Sequence, residues 1–219
     1  MSTVREQYLE AMGITVWLRR NVEVTETVIS DLSEQGWNEL QESVRSCTRC
    51  DLCHGRTQTV FGVGNHEADL LIIGEAPGAE EDKIGEPFAG RAGQLLDAML
   101  SSIQLSREKV YIANILKCRL PDNRDPKPDE ALTCGLYLER QIALLRPKVM
   151  LALGGIAAQW LLKSDSTIGR LRGGEFNYGE HQTPLVVSYH PAYLLRSPSA
   201  KSKAWEDLIL VTKILQKDL

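Results

Sequence analysis

Short apolar runs alternate with longer amphipathic segments from residue 69 to the end of the chain. Apolar runs bounded by polar or glycine residues are typical of strands, and apolar residues at every third or fourth position are typical of helices. The pattern predicts strands at 69–73, 110–114, 148–153 and 185–188. It predicts helices at 92–103, 129–145, 156–162 and 199–217. This alternation indicates an α/β fold with a parallel sheet covered on both faces.

The first 45 residues precede this alternation and differ from it. Their apolar positions fit an amphipathic helix that leads toward Cys47, with a break at Gly36; they are Val28, Ile29, Leu32, Trp37, Leu40 and Val44. We therefore divide the chain into an N-terminal helical extension, residues 1–45, and one domain, residues 46–219. The extension holds eight acidic and four basic residues, so it accounts for the whole net charge of −4. The zero net charge of the domain neither requires nor excludes binding to nucleic acid, because phosphate contacts depend on local patches of basic residues.

The composition is that of an ordinary globular protein, with 43% hydrophobic and 25% charged residues. No apolar run approaches the ~18 residues that a membrane span requires, and the N-terminus lacks the basic and apolar regions of a signal peptide. We therefore expect a cytoplasmic protein with no membrane contact. The five cysteines of such a protein are metal ligands or free thiols rather than disulfides.

The loop after the first predicted strand is rich in glycine. It reads GEAPGAEEDKIGEPFAGRAG from Gly74 to Gly93, and glycines let backbone N–H groups approach a ligand closely. No Gly-Lys-Ser/Thr follows, which excludes a phosphate-binding P-loop, and the G-x-G-x-x-G spacing of a dinucleotide site is missing. Composition alone also allows a turn with solvated acidic side chains. In parallel sheets, however, the loops at the carboxyl ends of strands carry the chemistry.

Four ordered motifs give these loops a more specific interpretation. GEAPGAEED, GEPFAGRAGQLL, NILKCR and HPAYLLRSP resemble the family 4 uracil-DNA glycosylases, and the resemblance covers about residues 47–217. It implies a three-layer α/β/α sandwich with a central four-stranded parallel sheet. It also implies an enzyme of base excision repair that hydrolyses the N-glycosidic bond of uracil in single- or double-stranded DNA and leaves an abasic site. We expect it to act as a monomer.

Four of the five cysteines are spaced as a metal-binding set. Cys47 and Cys50 form a C-x2-C pair, and Cys118 and Cys134 flank a proline-rich loop. Four thiolates suit zinc or an iron–sulfur cluster, and spacing alone does not separate the two. The resemblance implies a [4Fe–4S] cluster on these four cysteines. Cys53 extends the pair to C-x2-C-x2-C, which also occurs in ferredoxin-like cluster binding; we interpret it as a spare thiol.

The resemblance also implies which residues contact uracil. The amide of Asn114, at the end of the second strand, would read the O4 and N3–H edge of the base, and Phe88 would stack on it. Gly74 and Ala76 would contact the base from the glycine-rich loop, and Asn123 would assist from the proline-rich loop. Without the resemblance, Asn114 would be interpreted as a strand-end residue. Phe88 could be a core aromatic, but its place in the glycine-rich loop, as one of three phenylalanines in the chain, favours stacking on the base.

Catalytic groups are expected after the first and fourth strands. His190, in Ser-Tyr-His-Pro, would donate an N–H to the charge that develops on uracil O2. In uracil glycosylases with a Gly-Gln-Asp-Pro-Tyr loop, an aspartate directs the attacking water, and Ala76 occupies that position here. The group that directs the water is therefore open, and strong base catalysis is not required if the sugar develops cationic character first. We choose Glu81 for the water and expect Glu75 to orient the backbone or the base.

The best phosphate-binding surface follows the fourth strand, where the chain has Arg196, Lys201 and Lys203 and no acidic residue through position 205. Leu194 and Leu195 are apolar in this polar loop. They are either core residues or a wedge that fills the gap left by a flipped base. We expect Leu194, Leu195 and Arg196 to contact DNA.

Two other interpretations remain open. The chain could bind uracil-containing DNA and trap its product, as a branch of the superfamily does with a basic, histidine-containing insertion after the second strand. The corresponding segment here, CRLPDNRDPKP, has no histidine. The chain could instead be an iron–sulfur interaction module on the same fold, and the complete set of pocket motifs argues against that.

Overall fold

A computed structural model describes residues 32–217. The strands are β1 (Val63–Gly64), β2 (Leu70–Gly74), β3 (Tyr111–Asn114), β4 (Val149–Leu153), β5 (Glu175–Tyr178) and β6 (Thr183–Ser188). They form one six-stranded sheet in the order β1-β3-β2-β4-β6-β5. The four central strands, β3, β2, β4 and β6, are parallel. The two edge strands, β1 and β5, pair antiparallel with their neighbours.

The helices are α1 (Trp37–Arg45), α2 (Ala79–Ile84), α3 (Arg91–Ser102), α4 (Pro128–Leu145), α5 (Gly155–Leu162), α6 (Ile168–Leu171), α7 (Pro191–Arg196) and α8 (Lys201–Gln216). Helices α3 and α8 pack on one face of the sheet, and α4 and α5 pack on the other. The predicted three-layer α/β/α sandwich with a parallel four-stranded centre is therefore confirmed. Within residues 32–217, no helix combines the length and apolarity needed to cross a membrane.

Strand β2 shows why the central strands were predictable. Its side chains alternate between the two cores, with Leu70 and Ile72 on the α3 and α8 side and Leu71 and Ile73 on the other. All of these residues are buried. A strand buried on both faces reads as one continuous apolar run, which is the signal that parallel sheets produce.

Helix α1 packs against the domain. Its buried residues Leu40 and Val44 share a core cluster with Tyr137 of α4 and with the cysteine segments. Residues 32–34 are helical too, and Gly36 separates them from α1, as predicted. The carboxylate of Glu39 accepts the N–H of Gly36 at 2.6 Å, which caps the start of the helix. Val28 and Ile29, also predicted to belong to a helix, lie outside the described residues.

Candidate active site and cysteine site

Asn114 and Gly74 lie side by side where β3 and β2 end. Asn114 is 3% exposed. A Cβ atom at position 74 would overlap Oδ1 of Asn114 and would stand 3.0 Å from Cζ of Phe88. Glycine at position 74 therefore leaves the space in which the Asn114 amide and the Phe88 ring approach each other. Three residues that were predicted to contact the substrate thus lie together.

The ring of Phe88 stacks on the imidazole of His190, with centroids 5.4 Å apart and planes inclined by 26°. His190 follows β6 and stands directly before α7. Gly154, at the end of β4, approaches it closely, since a Cβ there would lie 3.3 Å from Cβ of His190. The loops after β2, β4 and β6 therefore meet at this histidine, as the rule for parallel sheets predicts.

Phe88 has an unusual backbone conformation, with φ of 54°. Its carbonyl accepts a hydrogen bond from the guanidinium of Arg107, which also donates to the carbonyl of Pro87 at 3.2 Å. Gly93 makes room for this turn, because a Cβ there would overlap the Phe88 carbonyl. Arg107 itself is fixed by an ion pair with Asp97, 2.6 Å long. Sequence reasoning missed Arg107, which lies outside every motif.

His190 is held in one neutral form. Its Nδ1 accepts the backbone N–H of Ala192 at 3.1 Å, so the ring proton lies on Nε2. Burial lowers the pKa of His190 to about 4; the positive charge of Arg196 lowers it further, and the negative charge of Glu81 opposes both. Near neutral pH the imidazole is therefore an uncharged donor through Nε2–H.

The two predicted carboxylates have different surroundings. Burial raises the pKa of Glu75 to about 7, and the charge of Asp125 adds to this shift. Glu81 lies in the first turn of α2, where its Oε1 is 3.4 Å from the backbone nitrogen of Gly90. Its charge reaches His190. Glu81 is thus linked to the histidine, and Glu75 is linked to the proline-rich loop through Asp125.

Two of the predicted pocket residues lie toward the edge of this group. Ala76 is partly buried and packs against the core around the cysteines. Asn123 is exposed and has φ of 51°, in the short turn Pro121–Asn123. The loop that carries Asn123 also carries Asp125, and the negative charge of Asp125 raises the pKa of Glu75. This electrostatic interaction connects the loop to the pocket.

The structure separates the two leucines of α7. Leu194 is 1% exposed and packs in the core with α3 and α8, so its predicted contact with DNA does not fit its burial. Leu195 is 38% exposed, and Arg196 next to it is exposed too. Successive residues of an α-helix are rotated by about 100° about its axis. For this reason one leucine faces the core and the next faces outward.

All five cysteines line one cleft between the start of the domain, the segment after β3 and helix α4. The sulfur of Cys118 accepts a hydrogen bond from Nη1 of Arg56 at 3.1 Å, and that of Cys134 accepts the backbone N–H of Lys117 at 3.2 Å. Donors of this kind are typical around thiolate ligands. Burial raises the pKa of Cys134 to about 12, and a bound cationic centre would lower it, because metals bind the thiolate form.

The five cysteines share one cleft, and their chemistry suits a metal centre bound by thiolates. Among residues 32–217, no group of three or more histidine, cysteine, aspartate or glutamate side chains converges tightly enough for one metal ion. The shared cleft, the burial of Cys118 and Cys134 and the donors to their sulfurs fit a group held by thiolates.

Comparison with known proteins adds the family to this geometry. A family model described as Uracil DNA glycosylase superfamily matches residues 61–209, which include all four parallel strands and the loops that meet at His190. The chain belongs to the uracil DNA glycosylase superfamily. The uracil DNA glycosylase match ends at residue 209, within α8.

Similar proteins within this superfamily indicate which of its families the chain most resembles. The type-4 uracil-DNA glycosylase of Archaeoglobus fulgidus is 41% identical over 187 residues, which cover 82% of this chain and 94% of the relative. The type-4 uracil-DNA glycosylase of Thermotoga maritima is 39% identical over 182 residues, which cover 82% of this chain and 94% of the relative. A type-5 uracil-DNA glycosylase of Thermus thermophilus is 32% identical over 151 residues, 60% of this chain and 68% of the relative. The resemblance to family 4 is confirmed.

Proposed function

We propose that the chain hydrolyses the N-glycosidic bond of uracil in DNA, releases the base and leaves an abasic site for base excision repair. The observation that carries the proposal is the convergence of a buried amide, an aromatic ring and a neutral histidine at the carboxyl ends of β3, β2 and β6. These groups are Asn114, Phe88 and His190. Membership of the superfamily, with type-4 relatives along most of the chain, supports the same reaction.

Base recognition begins when uracil leaves the base stack, since the pocket residues cannot reach it inside a duplex. Phe88 stacks on the base, and the Asn114 amide donates to O4 and accepts from N3–H. Gly74 and Ala76 allow the backbone to approach closely, and Asn123 assists from the adjacent loop. Single-stranded and double-stranded DNA are both substrates, and single strands cost less because no base pair is broken.

Cleavage moves the bonding electrons from the sugar C1′ onto uracil, so negative charge collects on O2. The Nε2–H of His190 donates to this oxygen, and its hydrogen bond through Nδ1 keeps the ring aimed in that tautomer. The sugar develops cationic character, and water directed by Glu81 bonds to C1′. The released water proton passes to Glu81 or solvent, uracil takes a proton from solvent, and Glu75 orients the base.

Leu195 and Arg196 form the DNA contact of α7 in this proposal. The exposed apolar Leu195 fills the gap that the flipped base leaves. The exposed Arg196 contacts a phosphate, and its position near His190 is consistent with its effect on the histidine. Leu194 supports the helix from the core and does not contact DNA.

We further propose that Cys47, Cys50, Cys118 and Cys134 hold a [4Fe–4S] cluster. When bound, the cluster supplies four iron–thiolate bonds that tie the segment before the domain core to the end of the β3 loop and to α4. Cys53 lines the same cleft and stays a free thiol.

An oligonucleotide with one uracil tests the function. After incubation and alkali treatment, cleavage at the uracil position means that the chain is the proposed enzyme. An adduct that survives a denaturing gel means a product-trapping protein, and neither result means an interaction module. His190→Ala provides the matched control and should lower the single-turnover rate by roughly 10²–10³, the scale for losing one donor to a developing oxyanion.

A further inference from the structure

Lys117 is a buried lysine for which the proposed reaction has so far given no role. Its side chain is 1% exposed, in a part of the molecule where Gln141 and Tyr111 are not exposed at all. A buried lysine is costly unless every one of its donors is paired. The pairing that Lys117 achieves therefore indicates what the residue does.

Three acceptors surround the Lys117 ammonium. Its Nζ donates to the backbone carbonyl of Asn114 at 2.8 Å, to the carbonyl of Phe61 at 3.1 Å and to Oε1 of Gln141 at 2.6 Å. An ammonium has three N–H donors and no acceptor, so the number of partners matches the number of donors. The three acceptors come from three separate parts of the chain.

The contact with Asn114 completes the fixation of one peptide group. The N–H of Ile115 donates to the carbonyl of Gly74 at 3.0 Å, which continues the pairing of β3 with β2. The carbonyl of Asn114 belongs to the same peptide group, and Lys117 bonds it. Both polar groups of the Asn114–Ile115 peptide, the carbonyl and the N–H, are therefore hydrogen-bonded. These bonds fix the backbone of Asn114 on its C-terminal side.

The backbone of Lys117 is anchored independently of its ammonium. Its N–H donates to the sulfur of Cys134 at 3.2 Å, and its carbonyl accepts the N–H of Val60 at 2.8 Å. Cys118 is the next residue along the chain. The lysine therefore reaches back to Asn114 from a backbone that the cysteine site holds in place.

We propose that Lys117 is a positioning residue that holds Asn114 in the orientation needed to read uracil. The inference rests on the proposed function, since it assigns Asn114 to the base. Lys117 does not touch the base itself. It acts through the carbonyl of Asn114, and a displaced amide would weaken recognition of the base without weakening contacts to the DNA backbone.

Lys117→Met tests the proposal because methionine keeps an unbranched apolar stem, keeps the backbone N–H to Cys134 and removes all three donors. We expect the inhibition constant of free uracil to rise at least tenfold and the saturated single-turnover rate to fall at least tenfold. Affinity for undamaged DNA and iron content per chain should not change. An unchanged uracil inhibition constant in a folded variant overturns the proposal.

Gln141→Leu provides a second route if Lys117→Met does not fold. Gln141 holds the lysine through its Oε1 and does not hydrogen-bond Asn114. Its Nε2 donates to the carbonyl of Phe61 and to the hydroxyl of Tyr111. We expect a several-fold weakening of uracil inhibition in Gln141→Leu. Tyr111→Phe, which removes only the hydroxyl bonded to Gln141, should leave it unchanged.

Equal effects of Gln141→Leu and Tyr111→Phe on uracil inhibition would overturn the proposal, because Tyr111 does not contact the lysine. The wild-type chain separates this failure from failure of the proposed function. If it does not excise uracil, the proposed function is wrong. If it excises uracil and the Lys117 and Gln141 variants bind the free base as it does, only the role of Lys117 is wrong.

Discussion

Nδ1 of His190 accepts the backbone N–H of Ala192, two residues further along the chain. This bond makes Nε2 the donor, and burial keeps the ring uncharged by lowering its pKa to about 4. Protonation of Nδ1 would break the bond with Ala192. The histidine therefore titrates below the range in which activity is normally measured, and a change of rate near neutral pH has another source.

Glu75 is the predicted source among the two site carboxylates, because burial raises its pKa to about 7. If the ionised carboxylate orients the base, the single-turnover rate should rise with pH through about 7. Glu75→Gln should remove this inflection of the rate near pH 7. Glu81→Gln should lower the rate at every pH but preserve the inflection. Rates measured between pH 5 and 9 check both variants. An inflection that persists in Glu75→Gln assigns the titration to another group.

The same carboxyl group makes stability depend on pH. Its pKa is about 7 in the folded chain and near 4.5 when unfolded. The destabilisation caused by burying its charge is therefore absent below about 4.5 and complete above about 7. Glu75→Gln should therefore stabilise the chain more at pH 8 than at pH 4. Urea unfolding of both proteins at the two pH values measures the difference, and a larger gain at pH 4 would contradict the raised pKa.

Gly74 should not tolerate a side chain. In Gly74→Ala, the new Cβ would overlap Oδ1 of Asn114 and crowd the Phe88 ring. We expect uracil excision to fall at least about tenfold, since one unmade hydrogen bond in a buried pocket costs about 1–3 kcal/mol. Gly169→Ala is the matched control because a Cβ there meets nothing within 4 Å. Equal rates for the two variants would show that the pocket has spare room at position 74.

The sequence predicts the centre of the fold better than its edges. β2 and β4 are buried along their whole length, so their apolar runs identify them. β1 has only two residues and β5 alternates exposed with partly buried positions, so neither gives a strong pattern. Edge strands of this kind depend on the neighbour they pair with, which local sequence does not specify.

The candidate site was predictable where a motif ends a strand, as with Asn114 and His190. It was not predictable where a distant residue supports that motif. Arg107 holds the Phe88 turn from 19 residues away along the chain. Lys117 lies only three residues after Asn114, in the same motif, but its bond to the Asn114 carbonyl depends on the tertiary contacts of its side chain with Phe61 and Gln141. The division between Leu194 and Leu195 depends on how α7 is rotated against the core. Apolarity alone could not distinguish them.

Alanine substitutions of Leu194 and Leu195 should therefore affect different properties, stability in the first case and excision rate in the second. Leu194→Ala should lower the free energy of unfolding by about 2–5 kcal/mol, as buried leucine-to-alanine changes do. Leu195→Ala should leave stability nearly unchanged and slow excision from duplex DNA more than from single strands, because only a duplex has a gap to fill. Urea unfolding and single-turnover rates on both substrates check the pair. Equal slowing on both substrates would exclude the wedge.

Cys118 and Cys53 should differ in their effect on bound iron. Cys118→Ser should lose the cluster, and with it solubility, because ligand binding is coupled to folding. Cys53→Ser should keep the iron, the sulfide and the brown charge-transfer colour of the purified protein. Iron and sulfide analysis of both variants decides between them. Full iron content in Cys118→Ser would point to Cys53 as the replacement ligand, and stoichiometric zinc in a colourless active protein would overturn the cluster assignment.

Asn114→Asp gives the sharpest test of base recognition. Uracil presents an acceptor at O4 and a donor at N3, whereas cytosine presents a donor at N4 and an acceptor at N3. The asparagine amide satisfies uracil by donating to O4 and accepting from N3–H. An aspartate carboxylate would set acceptor against acceptor at O4, in a position that is 3% exposed. The pocket offers little water to compensate for that unmade bond.

We therefore expect Asn114→Asp to lose at least roughly tenfold on uracil, since one such penalty of about 1–3 kcal/mol corresponds to that factor. The same carboxylate can accept from N4–H of cytosine, and in its protonated form it can also donate to N3. Weak excision of cytosine is expected for this reason. Single-turnover rates on matched uracil and cytosine oligonucleotides measure both effects, with Asn177→Asp, at an exposed position of β5, as the control. If uracil excision by Asn114→Asp proceeds at the wild-type rate, Asn114 only ends a strand and does not read the base.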